Sequence, residues 1–180
     1  MSPLLEQMEE QTLLTAEECR EVRTAVYDLE AHWTRRHPQV PFFTLGVASY
    51  LDARRDAAAG YHAAARRLNP LLGERFGWLH GRLADRLSRV LAAPVVYRAS
   101  CALPGFHIFE WCLAFEQPVG SVHQDLQYQY LDWRPAEQQD FRNPISFTLA
   151  IALPRTGGGL RVWDAGHEEL GAWTRQRASS

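Results

Sequence analysis

His123 and Asp125 are the residues of this 180-residue chain whose types and spacing speak most directly of chemistry. They flank Gln124 in a stretch, Ser121 to Leu131, whose composition predicts an extended strand. Side chains two apart on a strand point to the same face, so an imidazole nitrogen and a carboxylate oxygen can converge on one ion. Such a pair supplies part of the facial set of two histidines and one carboxylate that holds Fe(II) and leaves three positions open. A bidentate 2-oxo acid fills two of these, and dioxygen or water the third. As a bare pattern H-x-D arises often by chance and equally describes hydrogen-bonded surface residues. Gln127 shares the parity of Asp125 and is the neighbouring candidate for a substrate contact. His107 lies in an aromatic run and is expected to be a satisfied core histidine, while Phe109 and Trp111 share a parity that favours core packing over pocket lining. His32, His37, His62 and His80 sit on expected helices or their ends and converge on nothing visible in the sequence.

The elements that must position this motif change character halfway along the chain. Residues 1–93 read as mainly helical. Thr15-Ala16-Glu17-Glu18 has the form of a capping box, and Cys19, Val22, Val26, Leu29 and Trp33 follow at helical spacing until His37-Pro38 ends the run. Pro41 to Leu45 is short, aromatic and extended. Ala-rich Asp52 to Leu68 predicts a helix, and Asn69-Pro70 predicts the N-cap and first residue of another, with a stripe of Leu72, Phe76, Leu79, Leu83, Leu87 and Val90. Residues 94–180 read as a β-region: strands are expected at Val95 to Tyr97, Phe106 to Phe115, Ser121 to Leu131 and Ile145 to Leu153, then a turn at Gly157-Gly158-Gly159 and a strand from Leu160. Helices followed by short strands predict one α+β domain over 1–180, with helices buttressing a β-sandwich or barrel.

Composition narrows the classes further. The chain is 46% hydrophobic and 22% charged with a net charge of −2, which predicts a single core and gives no basic footprint for nucleic acid. No run is long and apolar enough for a membrane span, and the acidic N-terminus lacks the apolar region of a secretory signal. Three cysteines, Cys19, Cys101 and Cys112, form no C-x-x-C pair and are expected to be reduced small hydrophobes in a cytoplasmic protein. The nucleophile elbow, Walker and dinucleotide patterns are all missing.

The stretches SVHQDLQYQYLDW and ISFTLAIALPRTGGGLRVWD, preceded by the LTAEECREV helix, resemble the iron(II)/2-oxoglutarate-dependent dioxygenases. About 45 residues carry the motifs. The resemblance implies a double-stranded β-helix, or jelly roll, with the helical half packed on its major sheet. It implies His123 and Asp125 as metal ligands, Fe(II) and 2-oxoglutarate as cofactors, and hydroxylation of a small-molecule substrate. Hydroxylation is implied over halogenation because Asp125 fills the position a halide would take. The same family requires a distal histidine and then a basic residue for the far carboxylate of 2-oxoglutarate. His167 and, at the end of the chain, Arg175 and Arg177 are the candidates. His167 follows so soon after Gly159 that little chain remains for the intervening strands, which favours a jelly roll incomplete at its C-terminus. The alternative class is a catalytically inactive jelly-roll protein, lacking the distal histidine, that binds a small molecule or partner.

Overall fold

A computed structural model describes residues 9–53, 58–116, 127–131, 133 and 145–154. The first helix, α1, spans Ala16–Tyr27 and begins where the capping box places it. The Thr15 hydroxyl accepts from the Glu18 amide at 3.2 Å, and the Glu18 carboxylate accepts from the Thr15 amide at 2.8 Å. The bond from the Thr15 amide, followed by the ion pair to Arg82 at 2.6 Å, holds the Glu18 carboxyl below its usual range. The helix ends ten residues before His37-Pro38. A 3-10 turn, Glu30–His32, reverses the chain, and the Trp33 indole donates back to the Val26 carbonyl at 3.1 Å. Leu29 and Trp33 therefore still reach the core, from a turn instead of a helix.

The long helix α3, Ala58–Leu91, runs without interruption through Asn69-Pro70, where the sequence predicts a new start. A proline inside a helix costs about 3 kcal/mol. Tyr61, Ala65, Leu72, Phe76, Leu79 and Leu83 are all buried on one continuous face. Large side chains on that face contribute roughly 1.5–3 kcal/mol each when fully buried, so a single straight face outweighs the local break. The helix ends on Ala92, whose φ of 49° is left-handed, and the Ala93 amide turns back to the Ser88 carbonyl at 3.2 Å.

Three short strands form an antiparallel sheet in the order β1 (Thr34–Arg35), β2 (Phe42–Leu45), β3 (Phe106–Phe109). Phe43, Leu45, Phe106 and Ile108 face α1 and α3 and close the core with Val22, Val26, Leu72 and Phe76. The end of β2 meets the start of β3 at Gly46 and Gly105. Gly46 has φ +99°, and a Cβ on Gly105 would lie 2.3 Å from the Leu45 carbonyl oxygen, so the two backbones approach only because both residues lack side chains.

Between α3 and β3 the chain runs back along the helix as a strap, residues 94–105, with a turn closed by the Cys101 amide on the Arg98 carbonyl at 3.0 Å, and not as the strand expected at Val95 to Tyr97. Polar side chains of α3 fasten it. Ser88 Oγ accepts from the Val95 amide at 2.9 Å. The Asn69 amide donates to the Cys101 carbonyl at 2.8 Å and accepts from the Leu103 amide at 2.9 Å. The Tyr61 hydroxyl accepts from the Ala102 amide at 3.0 Å. Side chains thus satisfy backbone groups that a sheet ladder would otherwise take.

Several further expectations are corrected. The strand predicted over Phe106 to Phe115 stops at Phe109 and is followed by a 3-10 turn, Leu113–Glu116. Of the predicted strand Ser121 to Leu131, residues 127–131 are described, and Gln127–Tyr130 is also a 3-10 turn. Ile145 to Leu153 pairs with no strand among the described residues; Leu149 and Ile151 pack on the core, and Ile145, Phe147 and Leu153 are exposed. An apolar run becomes a strand only when another strand offers its backbone partners. The architecture is mixed helix and sheet, α+β. No helix among the described residues is long and apolar enough to cross a membrane.

Candidate functional site

Among the described residues, the long helices α1 and α3 cover one face of the sheet and leave the other free of long helices. Strand parity puts Phe42 and Thr44 of β2 and His107 and Phe109 of β3 on the helix-free face, with Thr44 opposite His107 and Phe42 opposite Phe109. Phe42 and Phe109 stack nearly parallel, ring centroids 4.5 Å apart, and Phe109 remains 57% exposed. The His107 ring lies 6.0 Å from Phe42 and 5.4 Å from Tyr50 of the short helix α2, Ser49–Asp52. His107 is exposed on this face and is not the core histidine that its aromatic surroundings predict. Phe109 and Trp111 are likewise exposed; the strand ends before Trp111, so their shared parity has no consequence.

The rear of this face is held by Arg36 and Asp52. The guanidinium makes a bidentate pair at 2.6 and 2.8 Å and donates Nε to the Thr44 hydroxyl at 2.7 Å, while Asp52 also accepts the Ala48 amide at 2.9 Å. Both side chains are largely withdrawn from water. The fork geometry joins the strands to α2 and fixes Tyr50 beside His107. Chemically the face offers a flat aromatic surface, a titratable imidazole and a fully engaged ion pair.

The turn Gln127–Tyr130, two residues after Asp125, packs against α2. Leu131 packs with Val47, Ala53 and Tyr61, and the Trp133 indole donates to the Tyr128 carbonyl at 2.8 Å beneath Arg98, whose guanidinium carbon is 5.6 Å from the ring centre. The chain that leaves the H-x-D motif is therefore pinned between α2 and the strap. His123, Asp125, His167, Arg175 and Arg177 lie outside the described residues, and Gln127 is described only as part of its turn. Among the described residues no three His, Cys, Asp or Glu side chains are grouped to hold a metal ion.

Two histidines that the sequence left without a partner are structural fasteners. His62 Nδ1 lies 2.7 Å from the Ser100 carbonyl oxygen, and His80 Nε2 donates to the Pro104 carbonyl at 2.9 Å. His80 is 5% exposed, and burial lowers its pKa against the opposing pull of the Pro104 carbonyl. Burial also raises the pKa values of Tyr61 and Tyr97. A signal for this role was present: His62, Asn69 and His80 recur along one edge of the apolar stripe of α3. On the helical side, a cleft of about 510 Å³ separates α1 from α3, floored by Val22 and Phe76 and rimmed by charges that include the Arg75–Asp28 pair at 2.9 Å. No family model, curated protein or solved structure matches the chain.

Proposed function

We propose that the chain is a non-haem Fe(II)/2-oxoglutarate-dependent oxygenase that hydroxylates a small-molecule substrate. In this reading its β-region is built on a double-stranded β-helix, and His123 and Asp125 are metal ligands. The observation that carries the reading is the H-x-D motif with its following ISFTLAIAL and GGGLRVWD segments. It is supported by the fastening of the chain just after Asp125 to α2, the helix that also presents Tyr50 to the helix-free face. An imidazole and a carboxylate are a donor set that suits Fe(II), and the pair leaves positions for a bidentate 2-oxo acid.

In the proposed reaction His123 and Asp125 would hold the metal, and the Asp125 carboxylate would take the place that a halide needs. The metal and 2-oxoglutarate, when bound, would supply the oxidation of an unactivated C–H bond: 2-oxoglutarate would lose its 1-carboxyl as CO2 and become succinate with one oxygen atom of dioxygen, the other going to the product hydroxyl. The aromatic face of Phe42, Tyr50 and Phe109 lies beside the element that anchors the motif and would exclude water from an apolar substrate. His167 is the candidate third ligand, and Arg175 and Arg177 the candidates for the far carboxylate of 2-oxoglutarate.

Anaerobic addition of Fe(II) and 2-oxoglutarate tests the reading. The expected result is a weak visible charge-transfer band, lost in Asp125→Ala, and succinate formation when oxygen is admitted. Neither band nor succinate would discard the oxygenase in favour of a non-catalytic jelly-roll binding protein. Calorimetric titration of Fe(II) with and without His167→Ala tests whether His167 completes the site: loss of tight one-to-one binding in the variant promotes it, and indifference removes it.

A further inference from the structure

The strap bears an acid-sensitive fastening that is independent of the proposed chemistry. We infer that His80 is a proton-operated latch: with a neutral imidazole it clamps the strap to α3, and protonation at Nδ1 releases residues 94–105 without unfolding the helical core.

The geometry sets the protonation states. A carbonyl oxygen only accepts, so the 2.9 Å contact with Pro104 places the proton on Nε2 and leaves Nδ1 as a lone pair. Nδ1 is buried and has no hydrogen-bond partner among the described residues. A second proton at that atom would create a buried charged N–H with no acceptor, among the costlier arrangements a protein interior can hold. From the strap, Tyr97 faces the imidazole with its ring 5.8 Å away, and its hydroxyl is spent on the His80 carbonyl at 2.9 Å. Arg82 of α3, two residues on, is paired with Glu18 of α1. No charged side chain among the described residues of α1, α3 or the strap perturbs the imidazole. Nothing described therefore compensates a charge there, and opening the strap is the way to hydrate it.

Release would act on what the strap carries. Its C-terminal end delivers the chain to β3 through the Gly46–Gly105 contact, and its middle supports Trp133 through Arg98 and shares with Leu131, through Ala102, the cluster of Val47, Ala53 and Tyr61. Opening the latch loosens both the edge of the helix-free face and the anchor of the segment that follows Asp125.

The sign follows from the lowered pKa. The neutral imidazole's contribution is complete above its unfolded value near 6.5, and it is lost as pH falls below that value toward the folded one. Hydrogen exchange of the Val95, Ala102 and Leu103 amides, corrected for intrinsic rates, reads the opening equilibrium directly. The opening constant should rise up to about tenfold per pH unit below about pH 6.5, while amides in the middle of α3 keep their protection. His80→Gln keeps a donor without a titratable group and should flatten the dependence; His62→Asn should leave it in place. A flat profile in the wild type, an unchanged slope in His80→Gln, or parallel exposure of the α3 core would overturn the latch. Should His80→Gln not fold, NMR titration of the His80 ring in the wild type decides: titration well below 6.5 supports it, and titration at or above 6.5 overturns it.

Discussion

Removing the Asn69 side chain should loosen the strap more than a typical surface substitution would. Asn69→Ala strips two hydrogen bonds at once, leaving the Cys101 carbonyl and the Leu103 amide without their partners at 2.8 and 2.9 Å. Orphaning a buried backbone group costs about 1–3 kcal/mol; these are partly buried, so about 1–1.5 kcal/mol each is appropriate, or about 2–3 kcal/mol together. Alanine is a better helix former than asparagine by about 0.6 kcal/mol and offsets part of the loss. The net expectation is a destabilisation of about 1.5–2.5 kcal/mol, or a fall in Tm of roughly 4–8 °C for a chain of this size. Urea unfolding followed by circular dichroism, with the slope checked for two-state behaviour, measures it. Asn69→Asp adds an internal control: the carboxylate still accepts from Leu103 but faces the Cys101 carbonyl without a proton, so it should cost at least as much near neutral pH. A loss below about 0.5 kcal/mol for both variants, with the exchange of the Ala102 and Leu103 amides unchanged, would refute the fastening of the strap by side chains.

Two other substitutions probe different parts of the fold. Ala92→Gly relieves the left-handed residue that closes α3 and should stabilise the chain by about 0.5–1 kcal/mol, since the steric relief exceeds the backbone entropy that glycine adds; thermal unfolding that falls or stays put would contradict it. Asp52→Asn breaks the bidentate pair and leaves the Arg36 guanidinium withdrawn from water without its counter-charge, at a cost of about 2–4 kcal/mol in chemical denaturation; a neutral result would mean that Arg36 finds another acceptor.

The sequence alone determined what depends on neighbours within a turn or two. The Thr15–Glu18 capping box is local, because both partners lie within one helical turn, and it forms as written. The apolar stripe from Leu72 to Leu83 is likewise a property of helical spacing, and those residues are buried. The type and spacing of His123 and Asp125, with the segments that follow them, define a candidate metal pair from sequence; its geometry lies outside the described residues.

Tertiary structure decided what depends on partners far along the chain. Asn69-Pro70 carries a local signal to begin a helix, and a face shared with Tyr61 and Ala65 on one side and Phe76 on the other overrides it. Val95 to Tyr97 and Ile145 to Leu153 have strand composition, yet α3 partners the first through the Ser88 hydroxyl and the His80 carbonyl, and no described strand pairs with the second. His107 fell on the helix-free face because β3 aligned it with Thr44, a register that a run of aromatic residues does not specify. His62 and His80 became fasteners because the strap brought carbonyl groups to them from 38 and 24 residues away. Periodicity is written in adjacent residues; a hydrogen-bond partner is chosen only when the chain returns.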